Sequence, residues 1–135
     1  GLAELSLVSP QLSLLPASNR LATAFGLVLT ERLTGSRHTG GLDIDYGLRF
    51  DAREGAVRMA DVRVNRLDVD RLPRAQQQLV SQYAPHLAEQ LLADLLIYRF
   101  AADQLALARN LGLAVGALRV LPEGLRVELQ PQGLR

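Results

Sequence analysis

No cysteine and no lysine occur in these 135 residues. The first absence removes disulfides, thiol nucleophiles and zinc knuckles, and leaves the redox compartment open. The second removes the phosphate-loop lysine and any Schiff-base chemistry. Histidine occurs twice, with no H-x-x-x-H or H-E-x-x-H spacing. Aromatic residues are 4% of the chain, too few for a base-stacking platform. The 15 basic residues, all arginine, are interspersed with 14 acidic ones for a net charge of +1, which excludes the basic stripe of a nucleic-acid binder. Apolar residues reach 48%, with Leu about a fifth of the chain, yet no apolar run approaches a membrane span. There is no signal-peptide pattern. The chain opens almost directly on a strand pattern, as expected of a mature segment or one beginning after a leader.

What is present is a long amphipathic hairpin. Leu42, Ile44, Tyr46, Leu48 and Phe50 are apolar at period two, with Asp43, Asp45 and Arg49 between them, which predicts a strand with one dry face. After the turn at 51–55 the apolar set runs Val57, Met59, then Val62, Val64, then Leu67, Val69. Each jump of three switches parity, and an inserted residue at each jump is what a β-bulge supplies. A strand of this length spans roughly 45 Å if straight, so the pattern predicts a strongly bent one. Upstream, a strand over 3–15 carries Leu5 and Leu7 on one parity and Leu12 and Leu14 on the other. Pro10 between them marks an edge or a bulge. A second strand over 20–33 places Leu21, Phe25, Leu27, Leu29 and Leu33 on one face.

Residues 72–97 predict a long helix with Leu72, Leu79, Tyr83, Leu87, Leu91 and Leu95 as its stripe. Pro73 suits its first turn, and Pro85 predicts a kink or break that strands the Ser81 carbonyl. Asp70 reads as its cap. A strand over 97–100 follows, then a short helix over 104–111 capped by Asp103 and ended by Gly112. A hairpin over 113–129 turns at Pro122-Glu123-Gly124, and a loose tail occupies 130–135. The expectation is one α+β domain over 1–135: a four-strand meander over 1–70, a helix over 72–97, then strand, short helix and hairpin over 98–129.

Few residues suggest chemistry. His38, Asp43 and Asp45 can be drawn as a metal site, but the alternation makes both Asp the wet face of a strand. Ser36, His38 and Asp43 have the letters of a triad without a G-x-S-x-G elbow. The glycines near residue 40 lead into a strand, not a helix, so they make no phosphate cradle. His86, beside Pro85, reads as a structural or surface residue. Arg58, Arg63, Arg66, Arg71 and Arg74 are the densest arginine set, and Arg58, Arg63 and Arg66 of it form a candidate headgroup patch. The interleaved Asp61, Asp68 and Asp70 favour a salt-bridged, solvated face instead.

The series Asp51-Ala52-Arg53-Glu54-Gly55-Ala56-Val57, Leu67-Asp68-Val69, Leu87-Ala88-Glu89-Gln90-Leu91-Leu92 after Pro85, Ile97-Tyr98-Arg99-Phe100 and Pro122-Glu123-Gly124-Leu125 resembles the YceB-like lipoproteins of Gram-negative bacteria, a family of unknown function. The resemblance implies a strongly curved antiparallel meander wrapped around a long kinked helix, similar to one half of the tubular lipid-binding (BPI-like) folds. It also implies export to the periplasm and an N-terminal lipid anchor in the outer membrane. The lipobox Cys and the helix that usually precedes the first strand do not occur in these residues. Without that helix the 135-residue form is expected to expose an apolar surface, and so to form a homodimer or to show an open groove beside the kinked helix near Pro85. No catalytic residue is carried over, and no cofactor or metal is expected.

The functional expectation is a non-enzymatic domain that binds a lipid or other apolar ligand between sheet and helix. Its wall would come from Phe25, Leu27, Leu29, Leu42, Ile44, Tyr46, Leu48 and Phe50, facing Leu79, Tyr83, Leu87 and Leu91. The alternative is an envelope scaffold for protein contact whose core is filled by its own side chains.

Overall fold

The structure, a computed structural model, describes residues 3–133. The fold is α+β. The elements are β1 (Ala3–Leu15), β2 (Arg20–Glu31), β3 (Arg37–Asp51), β4 (Ala56–Val69), α1 (Arg74–Leu92), β5 (Leu96–Arg99), α2 (Ala102–Asn110), β6 (Leu113–Leu121) and β7 (Gly124–Pro131). Strands β1 to β5 pair in sequence order as one antiparallel sheet, and β6 and β7 form a separate antiparallel pair. The chain folds as two compact units. One comprises residues 3–13, Ala22–Asp45 and Val62–Leu92; the other comprises Leu14–Leu21, Tyr46–Asp61 and 93–133. Each of β1 to β4 begins in one unit and ends in the other.

In the first unit the period-two pattern of β3 becomes burial: Leu42 and Ile44 are buried, while Asp43 and Asp45 face the wetter side. Gly40 belongs where it is because β4 passes close by; a Cβ there would meet the Asp68 carbonyl. The strand ends are tied by the Asp70 N–H donating to the Thr39 carbonyl at 2.7 Å. Strand β1 is an edge, as Pro10 requires, because its nitrogen cannot donate to a ladder. Ser9, beside Pro10, holds φ at +51°. Asp61, at φ +50°, occupies the Met59–Val62 jump of β4. Left-handed residues inside strands are what an inserted bulge residue looks like, so both parity switches have a local cause. In β4 a second switch follows, with both Asn65 and Arg66 exposed before Leu67 turns back inward.

Helix α1 starts at Arg74 and ends at Leu92, shorter than the 72–97 pattern. The Leu-rich segment beyond it is drawn into the sheet: the Met59 N–H donates to the Leu95 carbonyl at 2.8 Å, and β5 pairs with Ala56–Arg58. Asp94, at φ +61°, turns the chain between them. The helix continues through Pro85 without a break.

The second unit has a core of Leu21, Tyr46, Ala56, Val57, Met59 and Val120. Its β3–β4 turn is organised by Asp51. Oδ1 accepts from the Arg53 and Glu54 N–H groups at 3.1 and 3.3 Å, and Oδ2 accepts from Arg58 Nε at 3.1 Å. Gly55 closes the turn at φ +62°, with Leu105 of α2 packed where a Cβ would be. Helix α2 begins at Ala102, earlier than expected. Asp103 is therefore inside its first turn, and Gln104 reaches back to accept from the Ala101 N–H at 2.9 Å. The β6–β7 pair extends through Pro131, so the expected loose tail is strand over its first two residues. The last two, Leu134 and Arg135, lie outside the described residues.

Asn19 anchors this unit. In the left-handed region at φ +57°, it donates Nδ2 to the Leu118 carbonyl at 3.1 Å and accepts the Val120 N–H on Oδ1 at 2.6 Å. Asn19→Ala strands both partners and puts Ala in a strained conformation, an expected loss of about 2 kcal/mol by urea unfolding. Asn19→Gly relieves only the backbone term, so it should recover a minority of that loss.

The Arg58 guanidinium, followed by the two turn N–H groups, holds the Asp51 carboxyl below its ordinary value of 3.8. A carboxyl lowered by folding contributes stability that is complete above the unfolded value and is lost as pH falls through the lowered one. Asp51→Asn should therefore flatten the stability profile below about pH 4 and leave its slope between about pH 6 and 8 unchanged, as read by denaturant melts across pH.

Candidate functional site: an apolar cavity between sheet and helix

The first unit contains a cavity of about 290 Å³ whose wall is made only of Leu, Val and Ala side chains. Leu5 and Leu7 of β1, Leu27 and Leu29 of β2, Leu42 of β3, and Leu67 and Val69 of β4 supply the sheet side. Val80, Ala84, Ala88, Leu91 and Leu92 supply the helix side. Leu5 and Leu91 are both more than half exposed, so the cavity reaches solvent past them.

The seating of α1 explains why a space remains. Beyond Arg58, β5 no longer covers the outer edge of β4. The Glu89 carboxylate takes over there, accepting the Val64 N–H at 3.1 Å. This fixes α1 along β4. The residues turned toward the sheet form the row Val80, Ala84, Ala88, Leu92, and its two central members are too small to fill the gap.

Of the twelve residues expected to line the site, Leu27, Leu29, Leu42 and Leu91 do so. Leu79, Tyr83 and Leu87 do not: they are 57%, 61% and 55% exposed. Rows 79-83-87-91 and 80-84-88-92 lie one residue apart, about 100° around the helix, and close approach selects the row with alanines. Ile44 has no exposure and is packed core. Phe25 lines a different, polar groove with Ser9, Gln11 and Arg66. Tyr46, Leu48 and Phe50 belong to the second unit, where Tyr46 is buried and Phe50 meets Phe100 edge-on at 5.9 Å. The cavity residues that the pattern missed are Leu5, Leu7, Leu67, Val69, Val80, Ala84, Ala88 and Leu92. Leu67 and Val69 were legible as one parity of β4, but the Ala pair carries no hydrophobic signal strong enough to outrank Leu and Tyr.

The arginine patch is largely occupied. Arg58 is held by Asp51 and also donates to the Asp94 carbonyl at 3.0 Å. Arg66 bridges Asp43, at 2.9 Å, and Asp68, and these hydrogen bonds hold its proton more firmly than usual. Arg63 is exposed and forms no ion pair among the described residues. The drawn metal site does not converge: His38 Nδ1 lies 3.3 Å from the Asp70 carbonyl, Asp43 is taken by Arg66, and Asp45 accepts from Asn65 at 2.7 Å. Among the described residues, no group of three His, Asp or Glu side chains could hold a metal ion, and no helix is long and apolar enough to cross a membrane.

Glu89→Ala should free α1 along β4. Amide exchange over residues 74–92 is expected to accelerate at least about five-fold, about what the loss of one hydrogen bond worth 1 kcal/mol gives. Glu89→Gln keeps an acceptor and should stay near wild type. Equal protection in the Ala variant would show that the contact does not hold the helix.

No family model matches the chain, and no curated protein is detectably similar to it.

Proposed function

We propose that this domain is a non-enzymatic carrier that holds one apolar chain, such as a lipid acyl group, between the sheet and α1 of its first unit. The observation that carries the reading is the 290 Å³ cavity with an entirely aliphatic wall. Small-ligand sites begin at about 300 Å³, so this one suits a single chain more than a two-chain lipid. Each methylene taken from water contributes about 0.8 kcal/mol, enough to hold a chain without a reaction or a charged anchor inside the wall. In this reading the bulge at Ser9 curves the first unit's strands against α1, and Pro85 bends the helix to follow them. The resemblance to YceB-like lipoproteins supports a place in the periplasm, tethered to the outer membrane by an upstream lipid anchor.

A second reading, the protein-contact scaffold, is favoured by a specific observation: Leu79, Tyr83 and Leu87 form an exposed apolar row on α1. Soluble monomers seldom leave such rows uncovered, and a second copy of the chain is one surface that would cover it.

Titration with a fluorescent fatty acid separates the two. Wild type should bind it, Ala84→Phe should weaken binding at least about ten-fold by filling the cavity, and Leu87→Gln should leave binding unchanged. Melting temperatures confirm that each variant is folded. No binding by wild type, joined to self-association that Leu87→Gln abolishes, would establish the scaffold instead.

A further inference from the structure

Leu67, Val69 and Val80 line not only the apolar cavity but also a second one of about 320 Å³. The wall changes character there, to Asp68, Asp70, Arg71, Gln77 and Ser81. Gln77 and Ser81 in turn border a shallow depression that includes Arg74. The apolar cavity therefore shares a wall with a polar one that carries Arg71, and Arg74 lies in the depression beside it.

The charges there are unequally satisfied. Asp68 accepts the Gly41 N–H on Oδ1 at 3.0 Å and Arg66 on Oδ2. Asp70 accepts the Thr39 hydroxyl at 3.4 Å. Arg71 and Arg74 are both exposed, and neither forms an ion pair among the described residues. Arg74 opens α1, whose first turn contains no acidic residue. Free arginine forks match carboxylate and phosphate oxygens in pairs, and the Ser81 hydroxyl and Gln77 amide add neutral donors.

We propose that the ligand is an anionic single-chain amphiphile, with its chain among Leu27, Leu42, Ala84 and Ala88 and its carboxylate or phosphate head at Arg71 and Arg74. This rests on the carrier reading above and adds the class and direction of the ligand. The chain end points along α1 toward Leu91, away from the arginines.

Calorimetric titration with dodecanoate, dodecyl phosphate, dodecanol and inorganic phosphate tests it. The two anionic amphiphiles should bind roughly ten-fold more tightly than dodecanol, the advantage of about one charge-assisted contact. Arg71→Gln/Arg74→Gln should abolish that advantage while leaving dodecanol affinity unchanged. Equal affinity for dodecanoate and dodecanol, or an advantage that survives the double substitution, would overturn the proposal. Inorganic phosphate binding as tightly as dodecyl phosphate would also overturn it, identifying a free-anion site. If none of the three chains binds, the carrier reading fails and this one with it.

Discussion

One hydrogen bond fixes what the first unit can enclose. Where β5 ends, β4 presents backbone donors with no neighbouring strand, and such an edge must be covered or paired. Glu89 satisfies one of them at Val64. A carboxylate bonded to a backbone N–H is among the stronger contacts available to a helix on a sheet. It ties α1 to β4 through the helix face that carries Glu89, which is compatible with one roll of the helix on the sheet. Once the roll is set, the row facing the sheet follows, and with it a wall that has alanine at two successive turns.

The sheet was largely legible in the sequence and the helix roll was not. Alternation in β3 depends on a period of two that no neighbour can alter without moving every side chain to the other face. Parity jumps and Pro10 likewise report on the local backbone, and left-handed Ser9 and Asp61 lie where the pattern slips. In α1 two adjacent rows are both apolar. Hydrophobicity alone ranks Leu79-Tyr83-Leu87-Leu91 above Val80-Ala84-Ala88-Leu92, yet the choice is made by Glu89 and by how closely a helix can approach strands. Both are tertiary facts. Glu89 lies 25 residues from Val64 along the chain, and nothing in either segment announces the pairing. The early end of α1 has the same origin: Leu95 and Leu96 have high helix propensity, but the donors of β4 claim them for a ladder.

The arginines divide by a similar logic. Without lysine, every basic side chain carries a planar fork able to bridge two carboxylates. Arg66 does so between Asp43 and Asp68, and Arg58 joins Asp51 to the Asp94 carbonyl. These duties organise strand pairing and a turn, and they occupy Arg58 and Arg66 of the arginine stretch over 58–74. The informative arginines are those without such duties. Arg71 and Arg74 stand where β4 has ended and α1 begins, and neither forms an ion pair among the described residues.

A cavity this size needs a reason to persist. If it were fully enclosed and empty, 290 Å³ at ~24 cal/mol per Å³ would cost ~7 kcal/mol, comparable with the whole stability of a small domain. Opening past Leu5 and Leu91 lowers that cost by admitting water, but water gains little against a wall of Leu, Val and Ala. Leu in place of Ala84 and Ala88 would occupy much of the space, and Leu is abundant at neighbouring positions of the same helix. Small residues at these two turns thus leave stability unused in the free protein. An apolar chain that enters the space recovers it, so the same pair of alanines accounts for the void and for the kind of molecule able to occupy it.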